Sequence, residues 1–378
     1  MSTQIAPPGL KGLVVARTAT GDVRGEEGFY HFRQYSAVDL ARHRSFEDVA
    51  HLMVEGHLPD EQESAAFATE LAAASTLPHA LLEQLLAIAR SGPDRGALAR
   101  LRTALSLLGS VEEFPATYGA SPAQVRAGVL RLIGVVPVLQ AALFRLRSGR
   151  PPLEPRPELG AGGSWLWMLT GQEPEPEHAA AVTAYLTSTV DHGFSASTFT
   201  ARVVTSAGAD VVSAVCGAIG TFSGPLHGGA PDRALDSLDE IGTPDRAREW
   251  VRERVAAGER IMGFGHAVYR TVDPRAVLLR EHAQVLGGPL AELAVQVERE
   301  VVDALAELKP GRELHTNVEY YAGVVMEQCG IPREMFTPTF ATARIVGWGA
   351  HVLEQAGDPR IIRPAAEYVG PQAPAPLP

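Results

Sequence analysis

The chain has 378 residues, 46% apolar and only 6% aromatic, with 44 acidic against 33 basic side chains. That length supports a large core and two domains, and the dominance of Ala, Leu and Val predicts a mostly α protein with tight small-residue packing. The acidic balance, with no Lys/Arg block, excludes a nucleic-acid surface, so an anion site would need arginines gathered locally.

From the N-terminus, MSTQIAPPGLKG holds no apolar core of signal-peptide length, and short β-prone pieces occur at residues 13–18 and 28–35. Ser121-Pro122 supplies a cap and a first-turn proline for a helix over 123–132. The most apolar run, residues 130–144, is interrupted by Gly134 and Pro137 and edged by Arg131 and Arg145. It is shorter than the roughly 20 helical residues a bilayer needs and reads as an interior helix, so no membrane contact is expected. Residues 148–163, rich in Pro and Gly, read as a long connection.

A helical run over 179–190 ends at Asp191-His192-Gly193. DHGFSASTFTAR (191–202) then reads as a C-cap at Gly193 followed by a Ser/Thr N-cap, with His192 at the break. Helices over 197–207 and 211–219 follow, the second rich in Ala and Gly and so able to pack closely. GPLHGGA (224–230) puts His227 just before a helix over 230–241 whose first turn holds Pro231. A neutral imidazole at that helix start can donate a hydrogen bond to a developing oxyanion or enolate; equally, it can simply cap the helix.

GFGHAVYRTVDPR (263–275) is the most informative stretch. His266 lies between a glycine turn and two arginines, Arg270 and Arg275, with Asp273-Pro274 fixing the exit. The mix suits a pocket where backbone approaches a ligand, a histidine handles a proton, and guanidinium groups hold carboxylate or phosphate. Thr316-Asn317-Val318-Glu319 opens a helix running to Gly330. By pattern, Thr316 and Glu319 form a capping box; the other role open to Glu319 is a carboxylate base near the histidines. Thr337-Pro338 opens a last helix to about Gln355, apolar almost all round yet carrying Arg344 and His351 on one face. A buried arginine needs an anion, either an internal carboxylate or that of a substrate. Residues 371–378 form a proline-rich tail.

Cys216 and Cys329 are too few for a disulfide framework and lack CxxC spacing, which points to a reducing cytoplasm. The histidines lack HxxxH or HExxH spacing, which argues against zinc, and Gly263-x-Gly265 lacks the third glycine of a dinucleotide fingerprint. There is no G-x-S-x-G elbow and no Walker P-loop.

Taken in this order, the segments resemble the citrate synthase family. GLKGLVVARTATGDVRGEEGFYHFRQY and SFEDVAHLMVEGHLP look like its N-terminal region. The likeness continues through WMLTGQEP, DHGFSASTFTARV, GPLHGGA, GFGHAVYRTVDPR, NVEYYAGVVM, EMFTPTFATARIVGWGAHVLEQ and RIIRP. The resemblance implies a nearly all-α homodimer whose large and small domains close over a cleft. Residues 1–225 would form the first part of the large domain, 226–326 the small domain, and 327–378 the return to the large domain and a C-terminal arm. It further implies condensation of acetyl-CoA with oxaloacetate and hydrolysis of the citryl-CoA thioester, with acetyl-CoA as a substrate and no cofactor or metal.

Carried over by motif, His227 would hydrogen-bond the acetyl carbonyl and stabilise the enol or enolate. His266 would polarise the oxaloacetate ketone and protonate the new alkoxide, and Glu319 would take the place of the base. His192, Arg275 and Arg344 would hold oxaloacetate, Arg363 would reach into the partner's site, and Arg270 matches a position associated with CoA. The short N-terminal region favours the smaller, dimeric, cytoplasmic type.

Four motifs depart from the family pattern. Glu319 stands where the NVD motif carries aspartate; the extra methylene moves the carboxylate by about 1 Å, and misplacements of that order can cost on the order of 10²-fold in rate. Pro231 replaces the asparagine of HGGAN, Gly193 replaces the glutamate of DHE, and Phe32-Arg33-Gln34-Tyr35 changes two positions of a YRGY-like segment. Three readings follow: a citrate synthase, a 2-methylcitrate synthase using propionyl-CoA, or a weakly active paralogue that binds CoA or a dicarboxylate with Glu319 locked in its capping box.

Overall fold

A computed structural model describes residues 5–93, 96–225, 227–228, 231–266 and 268–374. Leu226, Gly229 and Ala230 of GPLHGGA, Ala267 of GFGHAVYR, the side chain of Pro231 and the end of the proline-rich tail lie outside the described residues.

A small antiparallel sheet comes first, in the order β1 (Gly21–Arg24), β2 (Phe29–Phe32), β3 (Tyr35–Ser36). Asp22 pairs with His31, and His31 with Ser36. This corrects the expected strand at 13–18, which runs unpaired with Val14 86% exposed. A strand needs a partner ladder, and residues 21–24 find one across a turn from β2, whose Tyr30 and Phe32 enter the core. The Phe32–Tyr35 segment is the turn from β2 to β3, where Arg33 reaches back to the Met53 carbonyl at 2.7 Å.

The helices then run α1 (Ala37–His43), α2 (Phe46–Glu55), α3 (Glu61–Ala74), α4 (His79–Arg90), α5 (Ala97–Glu112) and α6 (Pro122–Arg147). Ser36, Ser45 and Asp60 cap the first three through side-chain acceptance of backbone N–H groups. Ser121 and Gln124 form a capping box on α6. Gly134 and Pro137 do not interrupt α6, which is one helix of 26 residues. By length and composition it can cross a membrane, contrary to the expected shortness, yet 78% of its apolar window is buried within the chain. It is the core helix, and burial on every side overrides the local breakers.

Next come α7 (Gly160–Thr170), α8 (Pro176–Ser188), α9 (Ala196–Ser206) and α10 (Val211–Phe222). Helix α7 starts inside the expected 148–163 connection, where the Gly162 N–H donates to Thr183 Oγ1 of α8 at 3.2 Å. The chain closes with α11 (Pro231–Ile241), α12 (Ala247–Ala256), α13 (Pro274–Leu286), α14 (Gly288–Leu308), α15 (Val318–Gln328) and α16 (Phe336–Ala356). The fold is mostly α, as composition predicts.

Helix α16 is the second axis of the core and packs on α6, α9 and α10. Several polar groups in that interior are paired: Trp165 Nε1–H donates to Thr339 Oγ1 at 3.1 Å, and Gln140 Nε2–H to Thr342 Oγ1 at 2.7 Å. Helices α11 to α15 pack mainly on one another, while α13 and α15 also lie against α8. That contact brings the loops around residues 192, 266 and 319 together.

Candidate active site

The glycine segment is pinned to the entry of α15. Phe264 pairs with Thr316 as an antiparallel bridge, the Gly265 N–H donates to the His315 carbonyl at 2.7 Å, and the Asn317 N–H to the Gly263 carbonyl at 2.9 Å. Gly263 and Gly265 take φ of 85° and 80°, a backbone that side-chain-bearing residues rarely adopt, so the turn requires both. It delivers His266 with its Nδ1 accepting from the Val268 and Tyr269 N–H groups, each at 3.0 Å. The His266 proton is therefore on Nε2. Nε2 lies 3.4 Å from Arg275 Nη2, so two donors converge on one point of the cleft. Burial first, then Arg275, pulls the His266 pKa down to about 4, and the ring is a neutral donor.

Arg275 is buried and clamped by Asp273, through Nε–Oδ1 at 3.0 Å and Nη2–Oδ2 at 2.8 Å. It sits 5.8 Å from both the Tyr30 and Tyr269 ring centroids. Among the described residues none accepts from its Nη1. Asp273 also accepts the Arg275 N–H and the Val318 N–H, both at 3.0 Å, joining the start of α13 to that of α15. Sequence reasoning saw Asp273 only as a turn residue; the bidentate match across Asp-x-Arg was the available signal.

His192 Nε2 pairs with Tyr269 Oη at 3.0 Å, and its ring centroid is 5.5 Å from that of His266. Burial, then Arg275 and Arg344, hold its pKa well below the usual histidine value. Helix α8 ends at Ser188, so Gly193 is not its C-cap, whereas Ser195 does cap α9. His192 thus belongs to a linker rather than to a helix end.

His227 stands before α11, and its Nε2 meets Ser197 Oγ at 2.8 Å and the Ser197 N–H at 3.4 Å. Trp348 Nε1–H donates to the same Ser197 Oγ at 3.1 Å, which leaves the hydroxyl proton for His227 Nε2. The imidazole proton then lies on Nδ1. Burial, then Arg344, lowers its pKa to about 4. Ser197 and Trp348 were not anticipated from sequence, since they lie 30 and 121 positions away and nothing local couples them to His227.

The expected capping box at Glu319 does not form. The N-cap of α15 is Asn317, whose Oδ1 accepts the Glu319 N–H at 3.1 Å and whose Nδ2 donates to the Gly265 carbonyl at 2.8 Å. Thr316 turns its hydroxyl to Glu298 instead. Among the described residues none hydrogen-bonds the Glu319 carboxyl. Burial raises its pKa to about 7 against the opposing field of Arg275. A buried carboxyl poised near neutrality in the field of Arg275 is suited to general base work.

Arg344 is buried on α16, with Nε donating to the Thr189 carbonyl at 3.0 Å and its guanidinium 4.8 Å from the Phe340 ring centroid. No described carboxylate forms an ion pair with it, so of the two anions expected from sequence the internal one is not in contact. Burial lowers its pKa to about 10, opposed mainly by Asp191, and it stays cationic at neutral pH. Arg270 is exposed on the rim of a cleft of ≈ 990 Å³ that His266 and Asn317 also line. Arg260, Lys309 and Arg312 share that cleft with Glu26 and Glu313, an excess of basic side chains that the sequence reading did not assemble. Arg363 is exposed in the segment after α16 and contacts none of these groups within its own chain.

Residues 9–365 match the family described as citrate synthase, C-terminal domain. The chain is 34% identical to a citrate synthase of Synechocystis sp. over 97% of its own length and 91% of that protein's. It is 36% identical to one of Deinococcus radiodurans, over 96% and 95% of the two chains. In structure it is similar to a citrate synthase of Thermoplasma acidophilum in ternary complex with carboxymethyl coenzyme A and oxaloacetate, with a TM-score of 0.89, 27% identity and 99% and 98% of the chains covered.

Proposed function

The chain belongs to the citrate synthase family of acyl-CoA-condensing transferases, and we propose that it makes citrate from acetyl-CoA and oxaloacetate. The single observation that carries this reading is the convergence, around two buried arginines, of a neutral Nδ1–H imidazole, a neutral Nε2–H imidazole and a carboxyl with a pKa of about 7 that has no hydrogen-bond partner among the described residues.

Oxaloacetate would lie with its carboxylates on Arg275 and Arg344 and beside His192, and with its ketone oxygen at the point where His266 Nε2–H and Arg275 Nη2–H converge. The relative named for its ternary complex holds both a CoA analogue and oxaloacetate, which supports two adjoining sites. The basic side chains of Arg260, Arg270, Lys309 and Arg312 suit the phosphates of CoA. Glu319 would take the methyl proton while His227 Nδ1–H stabilises the forming enolate oxygen. The enol carbon would then attack the ketone as His266 Nε2–H protonates the alkoxide. Water would add to the citryl thioester and expel the CoA thiolate, the proton held by Glu319 and the one released by water restoring His266 and protonating the thiolate. Arg363 would complete the site of a second copy in a homodimer. Keeping both histidines neutral suits this chemistry, because each must donate without first losing a proton to solvent.

The test is release of free CoA thiol when both substrates are present and not when either is omitted. Folded protein that releases none contradicts the reading. A propionyl-CoA preference is tested by the ratio of kcat/KM values, where one methylene is worth about 1–3 kcal/mol; we expect acetyl-CoA to win.

A further inference from the structure

Asp191 and His351 have side chains only 1% exposed, and each keeps a polar atom with no hydrogen-bond partner among the described residues, Asp191 Oδ1 and His351 Nε2. His351 Nε2 stands 3.6 Å from Asp191 Oδ2, near enough for attraction but too far for a hydrogen bond. Buried orphan groups cost free energy and require a reason. Neither residue is among the substrate contacts proposed above.

The surroundings supply one. Arg344, Gly347 and His351 follow at spacings of three and four on α16 and so share a face. A Cβ on Gly347 would stand 3.0 Å from Asp191 Cβ and Oδ1 and 2.3 Å from the Val190 carbonyl oxygen. Asp191 is therefore seated in a notch that only glycine leaves open. Arg344 flanks the notch on one side, and Asp191 is the chief charge favouring its cationic form. His351 flanks it on the other, its Nδ1 accepting from Arg202 Nη1 at 3.2 Å. A guanidinium only donates, so the His351 proton must lie on Nε2, facing Asp191. Arg202 is itself fixed by Gln355 Oε1 at 3.0 Å and by Glu354.

We propose that Asp191 is a positioning residue for the oxaloacetate site. Docked at Gly347 between Arg344 and the His351 Nε2–H, it fixes the linker that carries His192 and leaves the terminal nitrogens of Arg344 free for a substrate carboxylate. The inference rests on the reading of this cleft as an oxaloacetate site. Asp191 is attracted by both Arg344 and His351, and its Oδ2 stands 3.6 Å from His351 Nε2. A substrate carboxylate on Arg344 relieves one pull, and the bond to His351 closes.

Two measurements on the full chain test this. Ring ¹⁵N NMR should show His351 protonated on Nε2 alone, with that proton moving downfield on adding oxaloacetate in wild type and not in Asp191→Asn. In kinetics, His351→Leu should raise the KM for oxaloacetate about tenfold or more and leave that for acetyl-CoA within about twofold, as loss of a bond to a charged group implies. His351→Gln, which keeps a donor, should recover most of the loss. A His351 proton on Nδ1, or an unchanged oxaloacetate KM in His351→Leu, overturns the inference. A wild type that releases no CoA would instead sink the proposed function, while the NMR tautomer would still report on the Asp191 contact.

Discussion

Glu319 is where the chemistry is most exposed to test. Its carboxyl has no described hydrogen-bond partner, and burial raises its pKa to about 7, so the base form appears only as pH passes that value. kcat/KM should therefore climb through a limb near pH 7, and a flat profile from pH 6 to 8 contradicts Glu319 as base. The same shift affects stability with a definite sign. Unfolded, the group ionises in the usual glutamate range, whereas the folded chain holds the proton up to about 7. Its burial thus costs nothing at pH 4 and increasingly destabilises the fold between the ordinary value and pH 7. Glu319→Gln cannot ionise, so its Tm relative to wild type should rise between pH 5 and pH 8; a constant difference argues against the shift. Glu319→Asp should lose activity by roughly 10- to 100-fold, because the site is built around the longer side chain and a displacement of about 1 Å carries that cost.

At the scale of elements, Asp273 is the joint. It clamps Arg275 on α13 and accepts the Val318 N–H that opens α15, so one carboxylate sets both an arginine and the helix bearing Glu319. Asp273→Ala leaves a buried guanidinium unpaired, and we expect a loss of about 3–5 kcal/mol in urea unfolding together with weakened oxaloacetate binding. A change within about 0.5 kcal/mol would show that the clamp is dispensable. Helix starts marked by Ser and Asp were open to sequence reading because a cap is a local event. The α15 start was not, since Glu298 on α14 draws the Thr316 hydroxyl away and hands the cap to Asn317. Likewise Pro137 reads as a breaker but sits within α6, whose burial outweighs the lost backbone bond. The β-prone run at 13–18 fails for the opposite reason, having propensity and no partner.

For the whole molecule, the order of motifs along the chain was legible and pointed to the family, while the polar contacts behind them were not. Ser197, Trp348, Asp191 and His351 act through residues distant in sequence, and no spacing rule joins them. The proposed role of Arg363 in a second copy's site would extend the same point to another chain, since it is exposed and touches no described site residue of its own copy. Arg275→Ala and Arg363→Ala should each be nearly inactive alone. When they are mixed and allowed to exchange subunits, half of the dimers should be hybrids with one intact site, restoring about a quarter of wild-type activity. No recovery, in proteins shown to exchange, would place Arg363 outside the partner's site.

The central claim is that this cleft condenses acetyl-CoA with oxaloacetate using Glu319 as the base. The most direct measurement is the rate of citrate formation, identified as product by mass spectrometry, for wild type and for folded Glu319→Gln at pH 8. The account predicts steady citrate production by wild type and a fall on the order of 10²-fold or more in the variant, the range expected when a general base is removed. Wild-type protein that binds oxaloacetate without making citrate, or a glutamine variant that makes it at the same rate, would contradict it.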